Sequence, residues 1–178
     1  MDNQQESLRL ERKLGYLAGI IDGEGTITLR FHSRKDKTPI IQPAVTIVNT
    51  DIKIINACAN TLKELGLPFW LTEYEGKGNW KKRYLIEISG LKRVPKILSV
   101  ITDYLVGKKE LAEIVNEYCE RRLNLLGRHW YYTEEDLEYV RRVKSFHGHQ
   151  DKVKITLETI AKSSETICGT QDKNPVKI

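Results

Sequence analysis

The sequence predicts an α+β domain: a single antiparallel sheet with helices on one side, in the order helix, two strands, helix, two strands, helices. Three observations predict it. Apolar residues recur at helical spacing in blocks that alternate with stretches of strict period two, such as "TITLRFH". Each pair of alternating stretches is joined by a short basic or Gly-containing connection, as hairpins are. The 178 residues, 40% hydrophobic and 30% charged, are enough for one well-packed domain and too few for two of ordinary size.

The first helix is expected from about Ser7 to Asp22, stopped by Gly23 and Gly25. Thr26–His32 then alternates, with Ile27, Leu29 and Phe31 on one face and Thr26, Thr28, Arg30 and His32 on the other. After the basic loop "SRKDKTP", Ile40–Val48 forms the second strand, where Pro43 argues for an edge position or a bulge. "NTDIKIINACANTLKELG" reads as a helix capped by Thr50 or Asp51 and ended by Gly66. "LPFWLTEYE", "GKGN" and "WKKRYLIEIS" form a second hairpin. A helix from about Leu91 to Tyr104 tolerates Pro95 in its first turn. "KKELAEIVNEYCERRLNLL" is helical by the spacing of residues 111, 114, 115, 118, 119 and 123. "TEEDLEYVRRVKSFH" follows, with Thr133 as N-cap and Asp136 in the place of the capping-box acid. Residues 1–149 form the domain. Residues 150–178 are polar and weakly patterned, and are expected to be a peripheral helix plus disorder.

A net charge of +5 and a pI near 9.0 favour nucleic acid or another polyanion as partner. Cys58, Cys119 and Cys168 are scattered and odd in number, which suits a reducing compartment and neither a disulfide frame nor a zinc site. The mixed-charge N-terminus is not a secretory signal, and no apolar run approaches the roughly 20 residues of a membrane span. The expected setting is cytoplasmic or nucleoid-associated, with no membrane partner. No Walker-type loop, Rossmann fingerprint or Ser/Cys triad is present.

"LAGIIDGEG", Leu17 to Gly25, places Asp22 and Glu24 between glycines where a helix gives way to a strand. It resembles the LAGLIDADG motif of the homing endonucleases, identical at six of nine positions, with Ile20 for Leu, Gly23 for Ala and Glu24 for Asp. The αββαββα order around it also matches the family core, so the resemblance spans roughly Arg12 to Asn124. It implies an antiparallel sheet saddle with helices on one side, followed by C-terminal helices. Members with two motifs act as monomers and those with one as homodimers. No second copy occurs here, so the chain looks like the homodimeric kind.

The motif also makes physical sense alone. Gly15 and Gly19 are four apart, on one helix face with Ala18 beside them, and small residues let two helix backbones approach closely. If the partner is the same helix of a second subunit, a two-fold axis runs between them, and Gly15, Ala18, Gly19 and Asp22 form the dimer interface. Glu24, just past the helix end, then meets its symmetry mate, and two adjacent carboxylates call for a cation such as Mg²⁺. An ordinary packed helix followed by a turn has the same pattern. In the family the first acid mostly caps the helix end and the second binds metal. The resemblance therefore assigns Glu24 as ligand, helped by the backbone carbonyl of Gly23.

The sheet face turned away from the helices is the candidate DNA surface. On the first hairpin it offers Thr26, Thr28, Arg30, His32, Gln42 and Thr46, flanked by Arg34, Lys35 and Lys37. The second hairpin offers Trp70, Thr72, Tyr74, Lys77, Asn79, Lys82, Arg83, Tyr84 and Glu87. Arg and Lys suit guanine edges, Gln and Asn suit adenine, and a β-ribbon fits the major groove. Any exposed sheet face is polar, and Trp70 or Trp80 suits packing or a hairpin tip better than it suits base reading. Eight strand residues at ~3.3 Å reach about 26 Å, or roughly 7–8 base pairs, so a dimer would read about 15 pairs as a pseudo-palindrome.

Three further positions match family active-site places: Asn49 and Lys53 in "NTDIK", and Lys108 in "YLVGKKELA", with Lys109 adjacent. The resemblance implies that Asn49 and Lys53 order water and offset phosphate charge, and that Lys108 stabilises developing charge or perturbs an attacking water. Elsewhere, "HGH" (His147, His149) has no completing ligands, and "ERR" and "RRVK" suit phosphate contacts or a solvated helix face. The resemblance implies an intron-encoded, Mg²⁺-dependent, site-specific double-strand DNA endonuclease. It would cut across the minor groove and leave short 3′ overhangs. Mn²⁺ is expected to substitute, and Ca²⁺ to support binding without cleavage. The alternatives are an RNA-binding intron maturase, with intron RNA as partner, and a non-catalytic DNA-binding regulator on the same fold.

Overall fold

Helix α1 (Asp2–Glu24) runs into strand β1 (Gly25–Arg34) with no linking residue. The chain continues through β2 (Lys37–Asn49), α2 (Ile52–Glu64), β3 (Trp70–Tyr74), β4 (Arg83–Ser89) and α3 (Val94–Ile101). A 3₁₀ turn (Thr102–Tyr104), α4 (Lys109–Leu125) and α5 (Glu134–Phe146) complete it. The computed structural model describes residues 2–34, 37–76, 78–125 and 132–147. The expected extension, 150–178, lies outside them. All strand pairings are antiparallel, in the order β1-β2-β4-β3, so the α+β expectation holds.

The alternating pattern builds the core. Ile27, Leu29, Ile41, Val45, Ile47, Ile86 and Ile88 are buried on one sheet face. They join Leu14, Leu17, Ala18 and Ile21 of α1, Ile55 and Leu62 of α2, and Ile97, Leu98 and Ile101 of α3 in one cluster. The Cys58 and Cys119 thiols are buried in it and pushed up to about 11 and about 12 by burial, so they stay protonated. Helices α4 and α5 are joined by a buried ion pair, Arg122 to Asp136 at 3.1 Å, beside the capping box that Thr133 and Asp136 form.

Three expectations are corrected. Helix α1 is longer at both ends, because Gln4, Gln5 and Glu6 are good helix formers and Gly23 is accommodated in the last turn. The acids therefore sit within that turn, not beyond it. The third helix is shorter than expected, ending at Ile101 before the 3₁₀ turn. Pro43 lies in β2, an interior strand, not at an edge or bulge. Its carbonyl accepts from the Gly90 N–H at 2.9 Å on the β4 side, where the β2–β4 ladder has stopped at Ala44 and Ser89. The N–H that proline lacks faces the same side, so no ladder bond is lost.

Gly66 and Gly25 are two of the glycines that geometry requires. Gly66 (φ 65°) follows α2, with its N–H bonded to Lys63 O and the Leu67 N–H to Leu62 O, a Schellman ending. Gly25 has no room for a side chain: a Cβ would stand 2.7 Å from both Cα and O of Ile21 and 3.1 Å from Thr46 O. All three are backbone atoms and cannot rotate away. Gly25→Ala is expected to cost about 2–3 kcal/mol by overpacking, read as a lower midpoint in urea unfolding; an unchanged midpoint would contradict the close approach.

Candidate active site and nucleic-acid interface

The end of α1 and the start of α4 cap each other. The Asp22 carboxylate accepts from three backbone N–H groups ahead of α4: Val106 at 2.7 Å, Gly107 at 3.3 Å and Lys108 at 2.9 Å. In return, Lys108 Nζ donates to the carbonyl of Ile21 at 2.8 Å and to that of Asp22. These carbonyls belong to the last helical turn, which has no intrahelical donors left, and the ammonium also suits the negative end of the helix dipole. Burial lowers the Lys108 pKa while the Asp22 charge opposes the shift. Both Asp22 oxygens are thus occupied within the chain. Glu24 is exposed and makes no hydrogen bond or ion pair among the described residues.

The expected dimer face divides. Gly15, Gly19 and Gly23 are exposed, and a Cβ on any of them would meet nothing within 4 Å. Ala18 is fully buried in its own chain and faces the core, so it does not share their face. Its place in the exposed row is taken by Gly23, four residues beyond Gly19. Asp22 belongs to the contact with α4 rather than to that row. Asp22→Ala should remove three charge-assisted bonds and lower stability by about 1–2 kcal/mol, measured by chemical denaturation, while Glu24→Ala should leave it unchanged.

Asn49, Asp51 and Lys53 form the start of α2. Asn49 Oδ1 accepts from the Asp51 N–H at 2.8 Å, and Asp51 Oδ1 accepts from the Lys53 N–H at 2.8 Å. The N-cap is therefore Asp51, and Asn49 has a structural bond of its own. With Gly25 paired to Ile47, the end of β2 carrying Asn49 lies at the same end of the sheet as Glu24.

Strand register sorts the other face. Thr26, Thr46, Glu87 and Trp70 form one row across the sheet. Thr28, Ala44 and Ser89 form the next, then Arg30 with Gln42, while Val48, Leu85 and Thr72 lie on the other side of the first row. Arg83 and Tyr74 pair at the margin, with the guanidinium 5.2 Å from the ring centre. Trp70 is 62% exposed and Tyr74 is exposed. Thr28 and Thr46 face this side as expected but are buried in the free chain. Lys82 and Tyr84 are corrections: they share parity with Ile86 and Ile88, so they point to the helix side. Tyr84 packs against the core, and Lys82 sits 5.6 Å from its ring and pairs with Glu73 and Glu75. Asn79 is exposed near the hairpin tip. For His32, Arg34 and Lys37 only the strand backbone is described, and Lys35 and Lys77 lie outside the described residues. His149 also lies outside, while His147 Nε2 is 3.1 Å from the carbonyl of Ile27 on edge strand β1.

A model of the LAGLIDADG-like domain family matches residues 11–117, more than half of the chain. The chain belongs to the LAGLIDADG family. Among curated proteins no match is found. Solved LAGLIDADG structures share the fold. The homing endonuclease I-TnaI is similar with 22% identity and a TM-score of 0.56, over 83% of this chain and 97% of that one. I-CvuI, in complex with its target in the presence of Ca, has 17% identity and a TM-score of 0.56, over 83% of both chains. The archaeal intron-encoded I-Vdi141I, complexed with DNA, has 18% identity and a TM-score of 0.55, over 80% of this chain and 84% of that one.

Against the LAGLIDADG frame, sequence reasoning missed the backbone N–H groups of Val106 and Gly107 as the partners of Asp22. No side-chain pattern marks them. It also passed over Val48 and Leu85, which strand parity places on the polar face despite their apolar character. No helix among the described residues is long and apolar enough to cross a membrane.

Proposed function

We propose that this LAGLIDADG protein is a homodimeric, Mg²⁺-dependent, site-specific DNA endonuclease of the intron-encoded homing type. The observation that carries the reading is the contrast between the two motif acids: Asp22 is used up in holding α4, whereas Glu24, two residues on, is exposed and free among the described residues. No group of three His, Cys, Asp or Glu side chains that could hold a metal ion occurs among the described residues. One chain supplies one carboxylate, and Mg²⁺ is typically held by one or two carboxylates together with water and substrate phosphate. The donor set therefore fits a site shared by two copies and DNA. The row of Gly15, Gly19 and Gly23 is the face on which a second α1 would bring the two Glu24 carboxylates together.

In that arrangement Glu24 and the Gly23 carbonyl would hold the cation. When bound, Mg²⁺ supplies Lewis acidity that lowers the pKa of an attacking water and stabilises the leaving oxygen. The Asn49 side-chain amide orients water, the exposed Lys53 ammonium offsets phosphate charge, and Lys108 holds the α1 terminus from which Glu24 projects. The polar sheet face enters the major groove, and each subunit cuts one strand across the adjacent minor groove, leaving short 3′ overhangs. The test is cleavage of a pooled DNA library of candidate intron-insertion sites. Cuts at a discrete pseudo-palindrome with Mg²⁺, and binding without cuts with Ca²⁺, are expected. Binding to structured intron RNA with no DNA cleavage would overturn the reading.

A further inference from the structure

We propose that Arg30 and Glu87 act as one unit that reads a G·C base pair in each half of the DNA target. The inference rests on the DNA-binding reading above and adds the identity of a base pair and the two side chains that choose it. Arg30 Nη1 donates to Glu87 Oε2 at 2.7 Å on the polar face of the sheet, with side chains 32% and 24% exposed. The two come from β1 and β4, with β2 between them. Register places Glu87 in the row of Thr46 and Arg30 in the row of Gln42, with the row of Thr28 and Ala44 between. To meet, both side chains must lie flat over that intermediate row. This accounts for the burial of Thr28, Ala44 and Thr46 on a face that otherwise meets solvent.

A carboxylate in the middle of a DNA-facing surface is repelled by phosphates. Among the described strand residues of this face, Glu87 is the one acid. Its useful partners there are base amino groups, above all cytosine N4. Arginine, with two parallel donors, matches the adjacent acceptors O6 and N7 of guanine. Guanine O6 and cytosine N4 stand side by side in the major groove of one base pair, as the guanidinium and the carboxylate lie side by side here. An A·T pair does not satisfy both: adenine sets its N7 acceptor beside a donor, so the guanidinium loses one of its two bonds. On binding, the ion pair exchanges one internal bond for contacts to the two bases of a single pair.

The experiment is selection of bound sequences from a half-site-randomised duplex library in the presence of Ca²⁺, with the full-length protein, Glu87→Gln and Arg30→Lys. Gln keeps the shape of Glu, and Lys keeps the charge of Arg without the planar fork. Wild type should enrich G·C at one symmetric position of each half-site. Both variants should lose about tenfold of that preference at the same position while keeping their preferences elsewhere and their melting temperatures. Uniform weakening across all sequences, or changes at two unrelated positions, would overturn the proposal and make the pair a strap that only orders the sheet. A wild-type protein that selects a discrete sequence indifferent to both substitutions also overturns it and leaves the endonuclease reading intact. A wild-type protein that selects no DNA overturns both.

Discussion

Glu24→Gln is expected to fold, dimerise and bind its DNA target like wild type, and to cut it roughly 10²–10³-fold more slowly or not at all. The size follows from the proposed role of Glu24 beside the reacting phosphate, where loss of one stabilising contact costs that much. The specificity of the effect follows from the structure: Glu24 is exposed and has no partner among the described residues, so no fold contact is lost. Gln keeps the side chain's size and one carbonyl oxygen but removes the negative charge a divalent cation needs. Cleavage in Mg²⁺ and binding in Ca²⁺, measured on the same duplex, separate the two functions. Full cleavage by the variant would remove Glu24 from the site.

Gly19→Leu should have the opposite profile. In the single chain a Cβ at this position meets nothing within 4 Å, and leucine is a better helix former than glycine by about 0.8 kcal/mol, so each chain should fold at least as well. Two leucines introduced into a close helix pair should cost about 1–3 kcal/mol each, raising the dimer Kd by roughly 30-fold to 10⁴-fold. Sedimentation across a concentration series reads this directly. Cleavage should fall with it at low protein concentration and recover at high concentration. An unchanged Kd would place the subunit contact on another face. The contrast with Gly25, six residues further on, is instructive: one glycine leaves space for a neighbour outside the chain, the other is filled by a neighbour inside it.

Much of the fold was legible because its signals are periodic. Alternation in "TITLRFH" and in Ile41–Ile47 marks the buried face of the first hairpin, and the "TEED" start of α5 carries its own cap. The errors arose where a local rule met tertiary context. Pro43 in isolation argues for an edge, but the neighbouring strand ends beside it. Lys82 and Tyr84 suit a DNA face by residue type, whereas strand parity turns them to the helix side. Ala18 matches Gly15 and Gly19 in size, but 100° per residue carries it round toward the core. The two acids of the motif look interchangeable in sequence. What separates them is the turn at residues 106–108, more than eighty positions away.

That separation has a consequence for the order of events during folding. The bonds between Asp22 and residues 106–108 close a loop of 84 to 86 residues, so they are expected to form after the local contacts of the helices and hairpins. On this account the helix that carries Glu24 can exist early, while its terminus is locked late. A ribosome-bound chain would then carry the motif long before it could present the acid at a fixed position. In stopped-flow experiments Asp22→Ala should accelerate unfolding and leave the refolding rate nearly unchanged. Equal slowing of refolding would mean instead that the latch belongs to the folding nucleus.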